Sequence, residues 1–253
     1  MSAGTAEAAF WAAFLRNRNV EAATAGDGAV AVAGGYALFV AGTLIDYAVG
    51  AGSARPLRDD DLTVAESFYA ARGAPARFEV EASVLERDAA LLSARGYAEF
   101  GPTLAGLEAT IGPPAAPGGI PVRTTTDRAR WADLVARAAA DTLADSGLLL
   151  RTAAVNAAAA HALVIATVDG NDAGAAALGI TSDTALLYSA AVLPGFRGRG
   201  VHRALLAARL GIAHQRGTGR AVFKTAPDSP AERSAAQFAF VRTGLLKRVY
   251  RDT

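Results

Sequence analysis

Cysteine is absent from the 253 residues. That excludes disulfides, thiolate metal ligation and a cysteine nucleophile together. Histidine is scarce: His161, His202 and His214 are the only three, too scattered along the chain to argue for a zinc site, and no metal is expected. An imbalance of charge is missing as well. Basic residues number 25 against 24 acidic ones, for a formal charge of +1, so the chain lacks the electrostatic footprint of a dedicated nucleic-acid binder. Charged residues make up only 19% and hydrophobic residues 52%, which supplies a real core and speaks against intrinsic disorder. The length suffices for one large or two small domains. What fills the composition is alanine, 63 residues, and arginine, 23 against the two lysines Lys224 and Lys247. This bias reads as codon pressure from a GC-rich genome, so an alanine-rich run carries no functional argument.

Long hydrophobic runs are few. Met1 to Phe14 is apolar but has no basic flank and contains Glu7, which disfavours a signal peptide. Phe10, Trp11, Phe14 and Leu15 recur at helical spacing and predict an amphipathic first helix. Residues 28–45 hold no charge, yet a membrane helix needs about 20 apolar residues. Gly34-Gly35 and Ala41-Gly42 cut this run into pieces of strand length. The pairs Val30/Val32 and Leu38/Val40 then fit short strands joined by glycine turns. The expected setting is therefore cytoplasmic, with no membrane partner.

The clearest break in composition is the stretch Gly112 to Gly119, with three prolines and three glycines in eight residues. It can sustain neither a helix nor a central strand and reads as a linker between a first half, 1–111, and a second half, 120–253. In the first half, Asp59-Asp60-Asp61 opens a helix, with acids where the helix dipole favours them. Arg77 to Val84 alternates as a strand, and a helix over 86–95 stops at Gly96-Tyr97. In the second half, a helix over 127–144 precedes three strands, 162–168, 175–180 and 185–193, joined by tight turns as an antiparallel meander. A glycine-rich loop and a helix follow, then a strand over 220–225, a helix over 230–238 and a strand over 245–250. The parallel endings of the two halves hint at a distant internal duplication.

Chemistry concentrates in Leu193-Pro-Gly-Phe-Arg-Gly-Arg-Gly-Val-His202, between a strand and a helix. Glycines at alternate positions let successive N–H groups converge into an anion nest. A helix beginning near Gly200 adds its unpaired amides and positive dipole end, and Arg197 and Arg199 add charge. This is a recipe for gripping a phosphate or diphosphate. No Gly-Lys-Ser/Thr follows, so the loop is not a Walker A sequence. The third glycine of a dinucleotide fingerprint would fall on Arg203.

At these residues the sequence resembles the GNAT superfamily of acyl-CoA-dependent N-acyltransferases. Its pyrophosphate motif, Arg/Gln-x-x-Gly-x-Gly/Ala preceded by Val-x-Pro-x-Tyr/Phe, is matched by Val192, Pro194, Phe196, Arg197 and Gly200, and departed from only at His202. A second similarity runs from Asp228 to Phe240, against Gly-Ser-x-Ser-x-x-Asn-x-x-Arg-x-Gly-Phe. Ser229 and Phe240 match, Ser234 stands for the Asn that bonds the pantetheine arm, Gln237 for the Arg and Ala239 for the Gly. Ala235 occupies a position where many relatives present a tyrosine general acid.

The resemblance implies an α/β (α+β) fold, a mixed and mostly antiparallel sheet flanked by helices, in two tandem halves of which the first is degenerate and lacks a phosphate loop. It implies transfer of an acetyl group from acetyl-CoA to a small-molecule or protein amine, by direct attack in a ternary complex. The alternative is a non-catalytic acyl-CoA-binding regulatory protein. The implied cofactor contacts are Val192, Arg197, Gly198, Arg199, Gly200, Val201, His202, Arg203 and Ser234. The N–H of Val192 would polarise the thioester carbonyl, worth about 3 kcal/mol in comparable sites, where strand 185–193 splays from 220–225. Tyr188 and Ser189 are the polar residues that could hold a catalytic water. Asp141 and Asp145 could attract a cationic acceptor, although a solvated face is the simpler reading. The chain is expected as a monomer or homodimer.

Overall fold

The computed structural model describes residues 2–21, 26–113, 119–141 and 143–252. Of the proline–glycine stretch, residues 114–118 lie outside the described residues. The first half contributes α1 (Ala3–Glu21), β1 (Gly28–Val32), β2 (Gly35–Phe39), β3 (Ala48–Val49), α2 (Asp59–Ala70), β4 (Ala76–Glu81), α3 (Ala82–Arg87), α4 (Ala89–Ala94) and β5 (Ala98–Thr110). The second contributes β6 (Val122–Thr125), α5 (Arg128–Ala139), α6 (Ser146–Ala159), β7 (Ala162–Val168), β8 (Asn171–Thr181) and β9 (Thr184–Val192). It continues with α7 (Val201–Gln215), β10 (Arg220–Thr225), α8 (Pro230–Ala236) and β11 (Val241–Arg251).

All eleven strands join one sheet, in the order β1-β2-β3-β4-β11-β5-β10-β9-β8-β7-β6. The order has an internal symmetry. β3 runs parallel to β4 as β9 runs parallel to β10. Beyond these pairs, β4 is antiparallel to β11, β10 is antiparallel to β5, and β5 and β11 pair with each other at the centre. Each half therefore lends its last strand to the other. The helices obey the same correspondence, α2 following β3 as α7 follows β9.

Two helical layers cover this sheet. On one face α1, α5 and α6 pack over Leu38, Val49, Leu186 and Val222 and over Leu163, Ile165 and Ala175. On the other, α2, α7 and α8 pack over Phe78, Val80, Leu187 and Phe223. Trp131 of α5 is fully buried and donates its indole N–H to the carbonyl of Ala176 at 3.2 Å, the partner a buried indole needs.

The meander, β10 and α7 stand close to their expected places, and Gly28 to Phe39 forms the expected hairpin. Four differences have physical causes. Helix α1 is apolar on more than one side: Ala6, Ala8, Phe10, Trp11, Ala12 and Leu15 are all buried, because the helix lies across the middle of the sheet and is flanked by Val155 and Ala159 of α6. The helix expected over 86–95 is broken at Asp88, whose carboxylate turns back to accept the N–H of Leu57 at 3.0 Å. The helix expected over 127–144 ends at Ala139, and α6 follows with Asp145 as its cap. Strand β5 was hidden by Gly101, Pro102 and Gly106, residues that usually interrupt a strand; it is held on both sides by β10 and β11.

Candidate active site

The site begins where β9 leaves β10. Their pairing covers only Thr184 to Leu186 against Arg220 to Val222, so the rest of each strand diverges, as the sequence led one to expect. A bulge drives the divergence. The register of β9 on β8 shifts between the pairs Ala177–Tyr188 and Ala175–Ala191, and Ser189 takes the left-handed conformation, φ 50°. A bulge of this kind bends a strand and re-aims its side chains.

Beyond the bulge, the N–H of Leu193 donates to the carbonyl of Ala173 at 3.0 Å. Strand alternation then turns the N–H of Val192 away from β8 and into the opening. A single turn over Pro194 to Phe196 follows. It consumes the N–H groups of Phe196 and Arg197, which bond Leu193 and Pro194. Gly198 and Gly200 then adopt φ 76° and 85°, conformations that side chains with a Cβ rarely occupy. The next main-chain donor with a partner inside the chain is Ala204, bonded to Gly200. Between them, among the described residues, the N–H groups of Gly198, Arg199, Gly200, Val201, His202 and Arg203 have no acceptor. They ring the positive end of a 15-residue helix, and a Cβ built on Gly198 meets nothing within 4 Å. Such a cluster of free amides facing open space fits a diphosphate.

The arginines of this loop are both ion-paired. Arg197 forms a salt bridge with Asp141 and donates to the carbonyls of Ala138 at 3.1 Å and Val192 at 3.2 Å, tying the loop to the end of α5. Arg199 pairs with Asp169 at 2.8 Å. His202 turns its ring inward: Nδ1 is buried without a partner, and burial, with Arg209 nearby, pushes its pKa down to about 4. The ring stays neutral at neutral pH. Arg209 itself is buried in α7 and donates to the carbonyls of Leu205 at 3.1 Å and Ala177 at 3.3 Å, which fixes the helix on the sheet.

The remaining expected residues divide. Tyr188 and Ser189 come together with α6: Tyr188 donates to the carbonyl of Asn156 at 2.9 Å, and the Ser189 hydroxyl accepts from the Asn156 amide at 2.7 Å. Burial raises the Tyr188 pKa well above the phenol range, so it stays protonated. Ser234 is half-buried on α8. Ala235, beside it, is fully buried among Phe223, Phe240 and Leu206, so no side chain there reaches the opening. Ala239 holds φ 59° where the resembling motif carries glycine. Asp141 and Asp145 do not form an acceptor patch: the first is bound by Arg197 and the second caps α6 through the N–H of Leu148 at 2.8 Å.

Sequence reasoning missed the other wall of the site. Tyr188 and Ser189 border a pocket of about 480 Å³ together with Glu7, Trp11, Asp46, Tyr47, Arg77, Asn156 and Arg248. Its residues come from α1, the loop before β3, helix α6, and strands β4, β5, β9 and β11, so no local motif announces it. One signal existed: Glu7 is the only charged residue among the first fifteen. Around it, Lys224 bridges Glu7 and Glu79, and Arg248 bonds Glu79 at 2.9 Å.

Residues 129–240 match the family model described as "Acetyltransferase (GNAT) family". They form a GNAT domain. Solved structures extend the likeness to the rest of the chain as a matter of fold. A GCN5-related N-acetyltransferase from Kribbella flavida superposes with a TM-score of 0.63 at 15% identity, covering 94% of this chain and 95% of that one. A tandem GNAT protein from the clavulanic acid biosynthesis pathway gives 0.58 at 17% identity, over 81% and 73%. A GCN5-related N-acetyltransferase from Sphaerobacter thermophilus gives 0.57 at 17% identity, over 81% and 71%. No curated protein matches this chain in sequence. The mixed, sheet-centred GNAT fold in two halves is thus the architecture of this protein. Among the described residues no helix is long and apolar enough to cross a membrane.

The region symmetric to the phosphate loop, between β3 and α2, is built differently. Its helix opens with Asp59, Asp60 and Asp61, and the Asp61 carboxylate accepts the N–H of Arg58 at 2.9 Å while paired with Arg55. A Cβ on Gly52 would lie 2.6 Å from Val84. Carboxylates and packed side chains stand where an anion would have to sit.

Proposed function

We propose that this GNAT domain transfers an acetyl group from acetyl-CoA to a primary amine by direct attack in a ternary complex, and that the first half is a copy whose own phosphate site has closed. The observation that carries the reading is the run of acceptor-free N–H groups from Gly198 to Arg203. The cofactor's diphosphate is the anion such a run suits, with its arm laid in the opening between β9 and β10. The main chain of Gly198 to Arg203 grips, and Val192 offers its N–H to the thioester oxygen as negative charge grows there. Arg197 and Arg199 keep the loop in shape from the side. Ser234 lies on the helix that borders the arm. The pocket beside Tyr188 and Ser189 receives the amine.

Isothermal titration with CoA and with ATP tests the cofactor: CoA binding with no comparable ATP affinity is expected. Thiol release from acetyl-CoA with a panel of amines, between about pH 6 and 9, tests the reaction. Binding without release across the panel would make the protein an acyl-CoA sensor, the reading that the buried Ala235 favours.

A further inference from the structure

The pocket at the bulge is closed on one side by the first helix of the chain, and that helix places a carboxylate in its wall. We propose that Glu7 is the general base that takes the proton from the acceptor amine, so that the first half of the chain completes the reaction centre of the second. This rests on the transferase reading above.

Three observations converge on Glu7. It lines the same pocket as Tyr188 and Ser189, the residues at the point where β9 parts from β10. Its carboxylate is only partly satisfied by the fold: Oε1 accepts from the Tyr47 hydroxyl at a long 3.3 Å, and Oε2 meets Lys224, an ammonium already shared with Glu79. Its surroundings favour proton uptake. Burial raises its pKa above the ordinary carboxylate range against the pull of Lys224, and Glu79 adds repulsion. A base needs that direction to work near neutral pH.

The other carboxylates nearby are committed elsewhere. Asp46 lines the pocket and burial raises its pKa as well, but it is bonded by Arg77 and faces Arg248. These two cations pull the pKa back with no neighbouring carboxylate to oppose them. Glu79 has no exposed side-chain surface; burial opposes its ionisation, yet Lys224 and Arg248 outweigh burial and hold its pKa down. The charged groups facing Glu7 are therefore Lys224 from β10, Glu79 from β4, and, across the pocket, Arg248, Arg77 and Asp46. A purely structural purpose explains this arrangement poorly, since a buried ion network adds little stability over apolar packing of the same volume.

The step balances without another reagent. The amine nitrogen forms the new bond to the thioester carbon, and the carbon–sulfur bond breaks with its electron pair going to sulfur. The proton shed by nitrogen goes to the Glu7 carboxylate, and a proton returns through solvent to the departing thiolate.

The test compares wild type, Glu7→Gln and Tyr47→Phe with acetyl-CoA and four probe amines: tyramine, putrescine, glucosamine and glycinamide. Thiol release is followed between about pH 5.5 and 9.5, with CoA affinity measured alongside. Glu7→Gln is expected to lower kcat by about 100-fold or more, to leave the CoA Kd within about twofold, and to abolish the acidic limb of the kcat profile. Tyr47→Phe removes a hydrogen bond that favours the ionised carboxylate, so its acidic limb moves to higher pH. A Glu7→Gln protein that keeps the wild-type kcat and acidic limb overturns the proposal and leaves the transferase reading standing. Should Glu7→Gln not fold, an unmoved acidic limb in Tyr47→Phe overturns it instead. A wild type that binds CoA but releases no thiol with any of the amines removes both.

Discussion

Gly200 is where the anion nest can be broken with least disturbance elsewhere. A Cβ at this position would find its nearest neighbours, Arg203 and Ile120, 3.8 Å away, so space is available and the cost of a side chain is conformational. At φ 85° that cost is about 1–2 kcal/mol, and Asn and Asp, the residues most tolerant of this region, share it. Gly200→Asn therefore measures the backbone penalty, and Gly200→Asp adds a charge to it. A carboxylate about 5 Å from a phosphoryl group, at an effective dielectric constant of about 20, is repelled by about 3 kcal/mol per unit charge. It can also bond the free amides itself and occupy the nest. Calorimetric titration should show the CoA Kd of Gly200→Asp at least about 100-fold above that of Gly200→Asn. Both variants should melt within a few degrees of each other, since strain of this size shifts a domain of this length by about 2–4 °C per kcal/mol. Equal Kd values in the two variants would refute the claim that an anion sits against these amides; a wild-type Kd in both would remove the nest altogether.

Two further outcomes follow from the packing and the charges. Gly35→Ala should destabilise the protein by about 2 kcal/mol or more in urea unfolding, because the added Cβ would lie 2.2 Å from the carbonyl oxygen of Val49 and 2.4 Å from the N–H of Ala51; an unchanged midpoint would show that β2 and β3 are not so closely apposed. Bonds from Arg55 hold the Asp61 carboxyl below its ordinary pKa, and bonds from Arg87 do the same for Asp88. Their contribution to stability is present above the unfolded carboxylate pKa of about 4 and is lost as pH falls through the lower folded-state value. Asp61→Asn should flatten that acid limb in urea titrations, and an unaltered pH dependence would contradict the assignment.

The legible parts of this protein were those whose physics is local. The meander declared itself because apolar runs such as Ala162 to Val168 are bounded by turn residues at 169–174 and 181–184, and the nest because glycine spacing dictates where N–H groups point. The ion pairs of the loop were not legible, since nothing local to Arg197 and Arg199 reveals that Asp141 and Asp169 stand within reach. The bulge left no mark either: Ser189 carries an ordinary side chain in an unusual conformation, imposed by pairing. The pocket was least legible of all. Its wall gathers Glu7, Tyr47, Arg77 and Arg248 from segments spread over nearly the whole chain, and only the folded sheet brings them beside Tyr188.

The exchange of β5 and β11 explains why that distant wall exists. In a chain of two independent halves, α1 would cover its own strands alone. Here the central pair β11–β5 fuses the halves into one sheet, and α1 lies across the junction, packing on Leu38 and Val49 from one side and on Leu186 and Val222 from the other. The same junction lets Glu79 of β4 and Lys224 of β10 meet, although two strands lie between them in the sheet. The first half, where Asp61 bonds the Arg58 amide at the start of α2, is therefore not idle in the proposed reaction. Its strands and first helix have become the floor and wall against which the second half would hold an acceptor.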